Sequence, residues 1–124
     1  MRIIHPDGRC EYAPSVDYTS ICKGVNMPGD DHPFTSVPIP ERDAAGFTVW
    51  DNDMGLLIGL DPNPWAEDLC DYDNLVGPIV VTSFEESKED ELMGYIVPAV
   101  RERFLQRLAD VQEAAKAFVA TRMN

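Results

Sequence analysis

The pattern that most restricts the fold lies in the last third of the chain. Val97, Val100, Phe104, Leu108, Val111, Ala115 and Phe118 recur at spacings of 3, 4, 4, 3, 4 and 3 residues. That is the period of a helix with one apolar stripe. Pro98 suits a helical first turn, so the spacing predicts a helix over residues 98–121. At 1.5 Å per residue such a helix is roughly 36 Å long, whereas a domain of this size is roughly 26 Å across. Two arrangements stay open. The stripe covers the sheet of its own chain, or Val100, Phe104, Leu108, Val111, Ala115 and Phe118 form the interface of a homo-oligomer, most simply a two-fold dimer.

The remaining elements are short. Residues 1–13 read as a hairpin turned by Pro6-Asp7-Gly8. Tyr18, Ile21, Cys22 and Val25 share one face of a short helix that Gly24 stops. Phe34 to Ile39 reads as a strand that Pro38 confines to a sheet edge. Residues 40–45 read as a polar loop. Gly46 to Trp50 reads as a strand, Asn52 to Gly55 as a tight turn, and Leu56 to Leu60 as its apolar return strand. Asn63 is placed to cap a short helix with Pro64 at its first position, and with Trp65, Leu69 and Cys70 facing inward. Ile79 to Phe84 opens with β-branched residues and is the strongest strand signal. The expectation is one α+β domain over residues 1–124: a small, mainly antiparallel sheet of four to six strands, two short helices and the long C-terminal helix. Within it, 1–84 form the core, 85–97 an acidic connector and 98–121 the helix.

Charge excludes some partners. Acids outnumber bases 22 to 10, for a net charge of −12. Residues 43–91 carry thirteen acids and one base, Lys88, whereas residues 92–124 are mildly basic. Direct binding to a nucleic-acid backbone or an anionic membrane surface is therefore disfavoured by repulsion. No apolar run reaches the ~18 residues of a membrane span, and the first turn arrives too early for a signal peptide. Cys10, Cys22 and Cys70 form no CxxC pair and read as reduced thiols, which leads to a cytoplasmic expectation.

Three segments carry a family likeness: MRIIHPDGRCEYAPSVDYTSICKGV, GFTVWDNDMGLLIGLDPNPWA and DYDNLVGPIVVTSF. The second resembles an acidic hairpin followed by a Leu-Pro-x-Asn-x-x-Ala segment, with Leu60, Pro62, Asn63 and Ala66 as counterparts and Asp61 inserted before the proline. The third resembles an Asp-x-Ile-x-Gly start to a last strand, with Asp73, Leu75 and Gly77 as counterparts. Over residues 1–84 the chain thus resembles the phage and mobile-element proteins grouped as domain of unknown function 3846. The resemblance implies a small α+β domain and a phage, prophage or plasmid origin, and it carries no catalytic residues.

Candidate sites are weighed against structural roles. No nucleophile elbow or phosphate loop is present, so no catalytic residue is assigned; a small hydrolase using His5 or His32 with an aspartate is the remaining enzymatic alternative. Asp30-Asp31-His32 and Asp51-Asn52-Asp53 lack metal-site spacing and read as solvated turns, so neither a metal nor a cofactor is expected. Trp50 and Trp65 read as core residues, with an aromatic clamp as the alternative. Arg103 and Arg107, at i and i+4, are the candidate anion site, with Asn63 and Trp65 as further ligand contacts; the structural alternative pairs the arginines with Glu102 or the acids of 85–91. Asp68, Asp71, Asp73, Glu85, Glu86, Glu89, Asp90 and Glu91 are the candidate acidic face. The functional expectation is an accessory protein that neutralises a host defence or nucleic-acid-handling factor by binding it through that face. The alternative is an oligomeric sponge that sequesters a small host nucleotide.

Overall fold

The computed structural model describes residues 1–14, 18–25, 34–53, 55–83 and 96–122. They form a five-stranded antiparallel sheet in the order β2-β1-β5-β4-β3. The strands are β1 (Arg2–Ile4), β2 (Cys10–Tyr12), β3 (Phe34–Val37), β4 (Phe47–Asn52) and β5 (Ile79–Ser83). Three helices accompany them: α1 (Tyr18–Gly24), α2 (Pro64–Cys70) and α3 (Pro98–Arg122). The fold is the expected α+β arrangement.

β5 lies at the centre, and all five of its residues are buried. Its β-branched side chains are stiff and pack well on a pleated surface. The register sorts apolar residues onto two faces. Ile4 stands opposite Ile79, and Val49 stands between Val81 and Val37. These side chains join Phe47, Leu69, Phe104, Leu108 and Val111 in the larger core, under α2 and α3. Ile3 and Trp50 flank Val80 on the other face, where α1 covers Met1, Ile3 and Val80 with Ile21 and Val25. β3 lies at a sheet edge and ends at Val37, one residue before Pro38.

The long helix packs against its own chain. Phe104, Leu108, Val111 and Ala115 are buried, and Phe104 meets Phe47 with ring centroids 4.9 Å apart. Burying a side chain such as Phe104 contributes about 2–3 kcal/mol. This corrects the expectation that these four residues present an oligomer interface, because the sheet of the same protomer already occupies them. Val100 is half-buried against the same core. Phe118 is 41% exposed and packs on Trp65, with centroids 5.5 Å apart. The excess helix length is real, since the buried stripe covers only the middle of α3 while Val97 and Phe118 stay exposed at its ends.

Two local expectations change. Leu56 to Leu60 is not a return strand: residues 55–59 form successive turns, and β4 pairs with β3 and β5 instead. The loop over 40–45 contains a 3₁₀ turn, Arg42–Ala45. Phe84 and the acidic residues 85–91 lie outside the described residues, as does His32. No described helix is long and apolar enough to cross a membrane.

Candidate binding surface

β4 ends at Asn52, a buried side chain whose Nδ2 donates to the Val25 carbonyl at 3.3 Å. The chain then turns back on itself. Gly55 N–H donates to the Asn52 carbonyl at 3.1 Å, and Leu60 N–H donates to the Gly55 carbonyl at 3.0 Å. This closes a compact loop whose tip is Leu56-Leu57-Ile58. The three side chains are 69%, 80% and 49% exposed. Three consecutive large apolar residues standing in solvent are unusual for a folded surface.

The loop is anchored to a second loop. Pro62 forms a β-bridge with Val76, Asn63 N–H donates to the Leu75 carbonyl at 2.9 Å, and Gly77 N–H donates to the Asp61 carbonyl at 2.7 Å. Gly77 is required here: its φ is +75°, and a Cβ would stand 2.6 Å from Leu60 Cδ1. Acidic residues occupy both loops and the helix between them. Asp53, Asp61, Asp68, Asp71 and Asp73 are all exposed. Of the expected acidic face, Asp68, Asp71 and Asp73 therefore lie at the surface, while Glu85, Glu86, Glu89, Asp90 and Glu91 fall outside the described residues. Tyr72, 51% exposed, adds an aromatic side chain to the same connector.

The expected ligand contacts are instead structural. Asn63 is fully buried and its carboxamide is saturated. Oδ1 accepts from Ala66 N–H at 3.0 Å, capping α2, and Nδ2 donates to the Ile4 and Gly77 carbonyls at 3.0 and 2.9 Å. Arg107 is held by Glu41 and by the Leu69 carbonyl. Among the described residues the partner of Arg107 is thus Glu41 rather than Glu102. Arg103 is exposed, joins no ion pair among the described residues, and adds its positive charge to the field at Glu41. Trp65 is half-buried against Phe118, and its Nε1 finds no partner among the described residues. Arg107, Asn63 and Trp65 therefore do not combine into a pocket for an anion.

Other candidates separate in the same way. Trp50 and Trp65 lie on opposite sides of the sheet, so they form no clamp. Strand alternation sends Asp51 and Asn52 to opposite faces, which disperses the Asp51-Asn52-Asp53 trio. Asp51 has a buried Oδ1 without a partner among the described residues; burial, helped by the charge of Asp53, raises its pKa to about 6. His5 Nε2 is 3.4 Å from a Glu11 carboxylate oxygen at the edge of the sheet. Burial pushes the Cys70 thiol up to about 12, and it raises the pKa of half-buried Cys10 as well, so neither is an activated nucleophile.

No protein-family model, no curated protein and no solved structure matches the chain.

The apolar tip escaped the sequence reading because Leu-Leu-Ile between two glycines has the composition of a strand. The signal against a strand was positional: Gly55 and Gly59 leave only three residues between them, and acids stand on either side at Asp53 and Asp61.

Proposed function

We propose that the protein is a non-enzymatic binding protein, of the mobile-element accessory kind, that neutralises a basic host protein. It docks the Leu56-Leu57-Ile58 tip in an apolar pocket of that partner, while the surrounding aspartates meet basic residues. The observation that carries this reading is the exposed apolar triplet on a hydrogen-bonded loop, with exposed Asp53 and Asp61 on either side of it in the chain and exposed Asp73 in the loop bonded to it. A fixed loop loses little conformational freedom on binding, and a central apolar anchor with a charged rim is the usual anatomy of a protein interface. The charge of the rim steers encounter with a positive surface.

The test is capture of the partner from host lysate by the intact chain, compared with Leu57→Asp and with the pair Asp68→Lys and Asp73→Lys. Leu57→Asp is expected to abolish capture. The double reversal is expected to weaken it, as is roughly 0.5 M salt, which screens exposed charges. Circular dichroism should show all variants folded, since the altered side chains are exposed. A partner retained equally by both variants defeats the reading.

A further inference from the structure

A depression lies at the β3–β4 end of the sheet. It measures about 550 Å³, and its walls include Ser36, Pro38, Arg42, Phe47, Thr48 and Trp50. That volume is within the range of small-molecule sites, about 300–1,000 Å³. Among the described residues that line it, Arg42 is the only charged one.

Arg42 is set apart from the other arginines near it. Arg101 donates to the Ala45 carbonyl and lies over the Phe47 ring, and Arg107 is claimed by Glu41 and Leu69. Arg42 is exposed; its backbone N–H donates to the Ile39 carbonyl at 3.0 Å, but its guanidinium makes no hydrogen bond or ion pair among the described residues, in a protein of net charge −12. Its φ is +53°, a left-handed conformation that costs an L-residue bearing a Cβ about 1 kcal/mol or more. Glu41, its neighbour, is buried toward α3, so the strained turn separates the two opposite charges rather than pairing them. Strained backbone holding an unpaired charge at a cavity is a reason to look for a ligand.

The rest of the wall suits a particular chemistry. Trp50 is held by its Nε1 hydrogen bond to Thr82 Oγ1 at 2.9 Å and by an edge-on contact with Phe34, centroids 5.0 Å apart. It therefore offers a fixed ring for stacking. Ser36 and Thr48 bring hydroxyls, and Arg42 brings a guanidinium suited to a phosphate. We infer that this depression binds a nucleoside phosphate, the ring stacked on Trp50, the sugar facing the hydroxyls and the phosphate on Arg42. The site is independent of the Leu56–Ile58 surface and replaces the one expected at Arg103 and Arg107.

The test is a titration of the ¹⁵N-labelled protein with adenosine monophosphate, adenosine and inorganic phosphate, followed by amide and indole resonances. Trp65→Phe assigns the Trp50 indole signal. Adenosine monophosphate at roughly 1 mM or below is expected to move the Trp50 indole and the Arg42 and Thr48 amides. Adenosine is expected to bind roughly tenfold more weakly for want of the charge-assisted contact. Arg42→Asn removes the charge while suiting the left-handed backbone, so it should fold as well as the parent and bind roughly tenfold more weakly. No shift with adenosine monophosphate, shifts confined to other residues, or undiminished affinity in Arg42→Asn overturns the inference. Inorganic phosphate binding as tightly as adenosine monophosphate overturns the nucleoside assignment.

Discussion

Arg107 holds both carboxylate oxygens of Glu41 at 2.6 Å, while its Nε donates to the Leu69 carbonyl at 2.7 Å. One side chain thereby joins the segment before the 3₁₀ turn, the C-terminal end of α2 and the middle of α3. The Glu41 side chain is only 2% exposed and that of Arg107 25%. Removing one partner strands the other, so Arg107→Ala should destabilise by about 3 kcal/mol, and Glu41→Gln by somewhat less because Arg107 still reaches water. The Arg107 hydrogen bonds hold the Glu41 pKa below its ordinary 4.5. The pair therefore contributes fully above that value, and its contribution is lost as pH falls through the lower folded-state pKa. Urea unfolding across acid pH measures both effects.

Asp51 has the opposite linkage. Its pKa is raised from 3.8 to about 6, so the folded state binds its proton more tightly than the unfolded state does. Folding is favoured by that proton below 3.8, and the advantage is lost as pH rises to about 6. Asp51→Asn should be close to neutral at the acid end and stabilising by of order 1 kcal/mol above the upper value, after discounting for partial exposure. Stability curves of the two proteins that stay parallel over this window would refute the assignment.

Asn63 makes a cap and a cross-link with one carboxamide. Asn63→Ser keeps a capping oxygen but leaves the Ile4 and Gly77 carbonyls without their donor. The expected cost is about 2–3 kcal/mol, and Asn63→Ala should cost about 1 kcal/mol more. Equal losses for the two variants, by chemical denaturation, would show that the cap contributes nothing.

Gly77 and Gly59 have nearly the same backbone, φ +75° and +76°, but different surroundings. A Cβ at Gly77 meets Leu60 at 2.6 Å, whereas one at Gly59 meets nothing within 4 Å. Gly59→Ala should cost about 1 kcal/mol of backbone strain, and Gly77→Ala a little more because the Leu60 side chain must also shift. Thermal melts of the two variants separate strain from packing.

What could be read from the amino-acid sequence alone is what neighbouring residues decide among themselves. The period of Phe104, Leu108, Val111 and Ala115 set the buried face of α3. Asn63 and Pro64 set the start of α2, Pro38 follows directly on the end of β3, and the run from Ile79 made the central strand. Each rests on local sterics, capping or periodicity. The rest depended on which segments meet. Leu56 to Leu60 has the composition of a strand, but β3 and β5 occupy both sides of β4, so no vacant ladder remained for it there and its apolar side chains stand in solvent. Arg107 met Glu41, 66 residues away, because α3 crosses the sheet beside the 3₁₀ turn, and strand alternation placed Trp50 on the face opposite Trp65. Those outcomes follow from the order of the strands and the side of the sheet each helix covers, which no short stretch of sequence contains.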